Sequence, residues 1–135
     1  MANKIKKIKT EISAGELLDK ISILEIKLNK IKNKTSRQKV KKEYKILIET
    51  KKSNIQINKK IQKLIKDIKY VNLNLWNIED KLRICEKNKD FGKKFVDLAR
   101  KVYFNNDKRA KIKLEINEIL GSNIKEVKQL SLIHI

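Results

Sequence analysis

The feature that most constrains this chain is an apolar repeat that runs without a fault for nine positions. From Ile57 to Cys85, apolar side chains recur at alternating steps of four and three residues, which places them on one face of a helix. A strand cannot use this spacing, because its side chains alternate with a period of two. The repeat therefore predicts one helix of about thirty residues, with Cys85 as its last core position.

Two other segments carry the same spacing. Ser13-Ala14-Gly15-Glu16 has the form of a capping box, in which the serine oxygen and the glutamate side chain each satisfy a free backbone amide. A helix is therefore predicted to begin at Ala14, and its apolar seam runs from Leu17 to Ile31. A shorter and weaker stripe, Val40 to Leu47, predicts a second helix.

The last helix is predicted from Phe91 to Ile119. The turn before it, Lys87 to Asp90, offers Asp90 as an N-cap, and Gly121 is a natural residue to end the helix. Proline is absent and there are only three glycines, a composition typical of long helices. The fold class predicted is all-α, an antiparallel bundle or long hairpin of three to four helices without a β-sheet core. Residues 1–129 are expected to form a single domain.

The final residues, Leu130 to Ile135, are predicted to be a non-native tail. Their letters match one reading frame of the transposase end sequence used to prepare shotgun sequencing libraries. If so, His134, the only histidine, does not belong to the native protein.

The charge of +19 is concentrated in the first half of the chain, which carries +14 of it in residues 1–69. A basic excess suggests a nucleic-acid or acidic-membrane partner. However, lysine, isoleucine and asparagine all have A/T-rich codons, and only four residues are arginine, so a coding bias explains much of the excess. Nucleic-acid binding is therefore possible but not favoured.

Motifs for catalysis are missing from the sequence. There is no glycine-rich phosphate loop and no nucleophile motif, so we predict no catalytic residue, metal site or cofactor. Cys85 is the only cysteine, which excludes a disulfide framework and indicates a reducing compartment. No apolar run approaches the roughly 18 residues of a membrane span, and a cytoplasmic location is predicted.

Polar side chains recur at matching heights in the predicted hairpin of the last two helices. A turn between Lys89 and Asp90 brings together residues whose numbers add up to about 179. This pairing places Arg100 beside Glu79, Tyr103 beside Trp76, Asn105 beside Asn74, and Arg109 beside Tyr70 and Asp67.

One interpretation is that buried polar residues fix the register of the helices, and another is that these side chains are simply exposed. A third is a polar ligand pocket between helices. Its candidate residues are Glu16, Asp19, Lys20, Trp76, Glu79, Asp80, Arg83, Arg100, Tyr103, Asn106, Asp107 and Arg109.

Three segments resemble a bacterial and phage family of uncharacterised domains. They are Ile12 to Lys27 (ISAGELLDKISILEIK), Leu75 to Glu86 (LWNIEDKLRICE) and Asp90 to Ser122 (DFGKKFVDLARKVYFNNDKRAKIKLEINEILGS). The resemblance implies a shared fold and a link with surface-polysaccharide assembly, and it brings no established activity. The lysine-rich middle of the chain lies outside these segments, which further weakens a nucleic-acid function.

Three functions follow from these observations. The first is a non-enzymatic helical interaction or adaptor module that binds a protein partner or itself, in surface-polysaccharide or phage processes. The second is a small-anion or sugar-phosphate binding protein or enzyme that uses Arg83, Arg100 and Arg109, and it requires these three guanidinium groups to face one cavity. The third is nucleic-acid binding through the lysine-rich middle helices.

Overall fold

Four helices form the fold in a computed structural model that describes residues 4–128. They are α1 (Ala14–Lys30), α2 (Lys34–Asn54), α3 (Lys59–Lys87) and α4 (Lys93–Leu120), and this described part contains no strand. The prediction of an all-α antiparallel bundle is confirmed. The predicted non-native tail, Leu130 to Ile135, lies outside the described residues.

One of the two hydrogen bonds of the predicted capping box forms at the start of α1. The Ser13 hydroxyl oxygen accepts the amide of Glu16 at 3.2 Å, so the helix begins at Ala14 as expected. The other half of the capping box is wrong, because the Glu16 carboxylate binds Lys113 on α4 at 2.6 Å. A buried ammonium group is a stronger partner for a carboxylate than a backbone amide near solvent.

The start of α4 lies two residues later than predicted. Its N-cap is Gly92, so the prediction of Asp90 as N-cap is wrong. Asp90 belongs to the turn that closes α3: its amide donates to the Cys85 carbonyl at 2.9 Å, and its side chain accepts the Gly92 amide at 3.2 Å. At the far end, Gly121 adopts the left-handed conformation and ends α4 as predicted.

The weakly patterned second helix is longer than its apolar stripe. α2 buries no residue fully, and it packs along α1 through Tyr44, Leu47 and Ile48. Arg37 ties the turn between the two helices, because its guanidinium donates to the carbonyls of Leu28 and Ile31. α2 is therefore an outer helix whose charged surface faces solvent.

The core has two parts. The larger cluster joins α1, α3 and α4 and contains Leu17, Leu18, Ile21, Ile61, Leu64 and Ile116. Each of these side chains stabilises the fold by roughly 1.5–3 kcal/mol through burial. The smaller cluster contains Ile78, Cys85 and Leu98 and belongs to the α3–α4 hairpin alone. Cys85 is therefore a core residue, as predicted.

α1 lies antiparallel to α4 and touches it closely at Gly15. The Gly15 amide donates to the Asn117 side-chain oxygen at 2.6 Å. A Cβ added at Gly15 would lie 2.4 Å from the Lys113 carbonyl oxygen and 2.8 Å from Asn117 Oδ1. A side chain at this position would push the two helices apart.

We expect Gly15→Ala to destabilise the protein by about 1–3 kcal/mol, because the backbone of α4 cannot move as a side chain can. This loss outweighs the gain that alanine brings to a helix. Urea unfolding measures the change. Gly92→Ser is the control, because a Cβ there meets only Asp90 Oδ1 at 3.5 Å and serine suits an N-cap. An unchanged free energy of unfolding for Gly15→Ala would contradict the close approach.

Candidate functional site

A buried ion pair joins α1 to α4 at the centre of the molecule. The Asp19 side chain has 0% exposure, and its two oxygens accept Arg109 Nε at 2.8 Å and Arg109 Nη2 at 2.5 Å. Asn72 on α3 also donates to Asp19 at 2.9 Å and to the Ser22 hydroxyl at 2.7 Å. The fork of the guanidinium fits the carboxylate in the two-point geometry that is strongest for such pairs.

Lys113 extends this pair into a cluster of five charges, the Asp19 cluster. Its Nζ lies 2.6 Å from Glu16, 2.5 Å from Glu126 and 3.9 Å from Asp19. Burial by itself lowers the pKa of Lys113, but hydrogen bonds to Glu126 and Glu16 and the charge of Asp19 outweigh it, so the pKa is raised. The hydrogen bond to Asp19 likewise raises the pKa of Arg109. Both cations therefore stay protonated.

The predicted neighbours of Arg109 are wrong, because α1 supplies its partner. Arg109 was expected beside Tyr70 and Asp67, but these two residues line a different cavity, and Asp67 pairs with Lys63 at 2.9 Å. Pairing by height alone cannot tell which side of α4 a residue faces. A partly buried guanidinium needs a carboxylate, and the fully buried Asp19 needs a cation in turn.

A groove of ≈ 620 Å³ opens beside Arg109. Its walls are α1, α3 and α4. It is lined by Ile23, Ile26, Asn72, Leu75, Trp76, Glu79, Asp80, Arg83 and Arg109. Five of the predicted candidate residues lie here.

The groove continues along the α3–α4 hairpin beyond α1. A further ≈ 420 Å³ shares Glu79 and Arg83 with it and adds Leu82, Glu86, Phe95, Ala99 and Val102. We call the two parts together the Trp76 groove. Three carboxylates at its edge, Glu79, Asp80 and Glu86, have no cation within 4 Å among residues 4–128 and stand against the single free charge of Arg83.

The other candidate residues are distributed over separate places. Tyr103 packs against Phe104 with ring centroids 4.5 Å apart, and the Arg100 guanidinium lies 5.8 Å from the centre of the Phe104 ring. Neither residue lines the Trp76 groove, and among residues 4–128 no salt bridge joins Arg100 to Glu79. Arg83 and Arg109 share a groove and Arg100 does not.

Of the remaining candidates, Asp107 pairs with Lys128 at 3.0 Å and Lys20 lies 3.9 Å from Glu16. Asn106 is half-buried on α4. The helix is continuous through Asn105 to Asp107, and Asn105 lines one cavity together with Asn74, as the hairpin pairing predicts. Within residues 4–128, no group of three or more histidine, cysteine, aspartate or glutamate side chains is arranged to hold a metal ion.

The sequence did not predict Lys113 and Glu126 of the Asp19 cluster, nor Ser22 and Asn72, which form hydrogen bonds beside it. A signal for two of them was present. Asp19 and Ser22 are polar positions three apart on the buried face of α1, and Arg109, Lys113 and Asn117 are polar at steps of four on α4. Two matching polar stripes indicate helices that face each other. Asn72 does not occupy a position of the apolar repeat in α3, so nothing in the sequence indicated that it is buried.

We expect Arg109→Met to lower the free energy of unfolding by about 3–5 kcal/mol, because it leaves the Asp19 carboxylate buried without a two-point partner. The double variant Asp19→Leu with Arg109→Met should recover part of the loss, since no charge is then left unpaired. Chemical unfolding of both variants measures this. Additive losses in the double variant would mean that the pair does not act as a unit.

The raised pKa of Lys113 predicts a change in stability at alkaline pH. Its folded pKa lies above the ordinary 10.5, so the stabilisation is complete below pH 10.5 and is lost as the pH rises through the folded value. Lys113→Met should therefore unfold with a weaker dependence on pH above this point. Lys41→Met, which removes an exposed lysine of α2, is the control and should keep the native dependence. An identical dependence for native protein and Lys113→Met would contradict the shift.

None of the four described helices carries an apolar stretch long enough to cross a bilayer. Comparison with known proteins gives one match: the model of a family of unknown function, DUF6165, matches residues 8–132. No curated protein and no solved structure matches the chain. The family range spans all four helices, the Asp19 cluster and the Trp76 groove. The chain belongs to the family of unknown function DUF6165.

Proposed function

We propose that the protein is a non-enzymatic interaction module that binds an amphipathic helix of a protein partner in the Trp76 groove. The observation that carries this proposal is the way α1 lies on the α3–α4 hairpin. Gly15 and Asp19 hydrogen-bond α1 to α4, α1 then forms one wall of the groove, and the groove continues along the hairpin beyond α1 with an apolar floor. A surface that already holds one helix is suited to a second helix that continues it.

The floor of the groove has the composition of a binding surface. Trp76 is half-buried beside Leu75, and Leu82 and Phe95 continue the apolar surface along the hairpin. Phe91 packs edge-to-face against Phe95 at 5.4 Å and is itself 51% exposed. Tryptophan and other large side chains that are partly covered supply most of the binding energy at protein interfaces.

The charge at the edge of the groove indicates the chemistry of the partner. Glu79, Asp80 and Glu86 outnumber Arg83, although the whole chain carries a net charge of +19. These carboxylates line the groove itself, so they act on a bound partner at short range, where salt screens charges least. A helix with an apolar stripe flanked by lysine or arginine fits this surface.

The cellular process and the location of the protein are part of the same proposal. Surface-polysaccharide assembly or phage processes are suggested by the sequence resemblance, and a cytoplasmic location is suggested by the single cysteine. Cys85 is buried and free, which agrees with a reducing compartment without requiring one.

Trp76 makes the proposal testable, because it is the only tryptophan of the chain. We expect a synthetic leucine/lysine helical peptide to shift the Trp76 emission to shorter wavelength at physiological salt, since the bound helix excludes water from the indole. A matched leucine/glutamate peptide should bind more weakly. The double variant Asp80→Lys with Glu86→Lys should raise the Kd of the lysine peptide by at least about tenfold, since attraction becomes repulsion.

The matched control is Glu43→Lys with Glu49→Lys, which changes the net charge equally on the exposed surface of α2. It should leave the Kd nearly unchanged. Equal binding of both peptides, or an equal loss in the control variant, would count against the groove. A native dimer with covered Trp76, broken by Asp80→Lys with Glu86→Lys, would instead identify a second copy of this chain as the occupant.

A second candidate is polyanion binding through α2, because this helix buries no residue and exposes most of its lysines. Binding to a single-stranded oligonucleotide should then fall steeply with salt and should be lost in Lys41→Gln with Lys45→Gln. The small-anion function that used three arginines has less support, because Arg100 contacts Phe104 outside the Trp76 groove.

A further inference from the structure

A second groove lies between α3 and α4 and has the opposite charge. It encloses ≈ 760 Å³, and its walls contain no residue of α1. We call it the Asn105 groove. The residues that define its chemistry are Asn74, Lys81, Lys101, Phe104, Asn105 and Lys108.

The three lysines of this groove carry free positive charge. The groove has no carboxylate among its lining residues, and Lys81, Lys101 and Lys108 have no carboxylate within 4 Å among residues 4–128. Lys101 and Lys108 are seven residues apart on α4 and so lie on one face of that helix. An anion in the groove would meet cations from both helices, since Lys81 belongs to α3.

The rest of the groove offers groups for the organic part of a ligand. Asn74 and Asn105 are half-buried, and the Asn105 amide donates to the Lys101 carbonyl at 2.8 Å. Among the described residues the Asn105 side-chain oxygen and both polar atoms of the Asn74 side chain have no hydrogen-bond partner. Phe104 is 48% exposed and adds an apolar surface.

A smaller cavity of ≈ 320 Å³ shares Asn74, Asn105 and Lys108 with this groove. It adds two carboxylates, Asp67 and Glu115. Carboxylates at the end of a basic groove accept hydrogen bonds from hydroxyl groups. The smaller cavity therefore adds acceptors for hydroxyl groups, Glu115 and the Lys63-paired Asp67, beside Lys108 and Lys111.

We propose that the Asn105 groove binds a small, hydroxyl-bearing phosphate ester, with the phosphate among Lys81, Lys101 and Lys108. The hydroxyl groups face Asn74, Asn105 and the adjoining carboxylates, and the organic part lies against Phe104. The volume falls in the range of small-molecule sites, about 300–1,000 Å³. A sugar phosphate and a nucleotide share this chemistry. The proposal does not depend on the Trp76 groove.

Calorimetric titration of the full chain with glucose 1-phosphate, adenosine monophosphate, inorganic phosphate and glucose tests the proposal. We expect one or both esters to bind more tightly than inorganic phosphate and glucose. The side-chain amide signals of Asn74 and Asn105 should shift in NMR spectra during the titration. Phe104→Ser separates the two sources, because it should weaken binding of the nucleotide base more than binding of a sugar.

Lys101→Gln with Lys108→Gln should raise the Kd of the ester roughly tenfold or more, because two charge-assisted contacts are lost. Lys41→Gln with Lys45→Gln removes the same charge from α2 and should change the Kd less than about twofold, because these lysines are screened from the groove. Circular dichroism checks that both variants keep their helices.

Three results would overturn the proposal. The first is no binding of either ester at millimolar concentration. The second is an equal loss in the α2 control, which would mean that net charge alone attracts the ester. The third is an oligonucleotide that binds far more tightly than either ester and shifts the same asparagine signals, which would identify the groove as part of a polyanion surface.

Discussion

The contact between Asp19 and Arg109 determines where α1 lies on the α3–α4 hairpin. An apolar side chain can pack against many different apolar neighbours with a similar free energy. An apolar seam alone would therefore allow α1 to shift along the hairpin by one helical turn. A fully buried carboxylate does not permit this, because moving it by one turn would separate it from both Arg109 and Asn72. The close approach of Gly15 to the Lys113 carbonyl fixes the distance between the same helices.

The Trp76 groove follows from that placement. Gly15 and Asp19 hydrogen-bond α1 to α4, Ile23 and Ile26 of α1 line the first part of the Trp76 groove, and the second part extends along the hairpin without α1. The Asn105 groove is formed by α3 and α4 without α1. Within the described part of the chain its lysines have no carboxylate within 4 Å, whereas Lys113 on the face toward α1 contacts three carboxylates. One hairpin therefore presents an acidic-edged apolar surface and a basic polar surface.

The sequence predicted the helices better than it predicted the site. The repeat of α3 and the signals at Ser13 and Gly121 are local, and eight of the nine repeat positions, from Ile61 to Cys85, lie in the helix. Ile57 precedes the N-cap Asn58, so α3 begins two residues later than the repeat. The pairing of Asn74 with Asn105 also followed, because a short turn fixes the register of a hairpin. The partner of Arg109 did not follow, since it depends on how a helix 90 residues away lies against α4. Exposed residues such as Glu79 and Arg100 were grouped by height, and height does not determine on which side of a helix a side chain lies.

The contacts of α1 also determine the order in which the chain completes its fold. Neighbouring segments supply the α1–α2 and α3–α4 pairs, whereas the hydrogen bond from Gly15 to Asn117 spans 102 residues. During synthesis α1 therefore leaves the ribosome with Asp19 unmatched, and its buried partner arrives only when the end of α4 has been made. Until then the apolar face of α1 stays uncovered by the hairpin, and the cell must tolerate this exposed face while α2, α3 and much of α4 are translated.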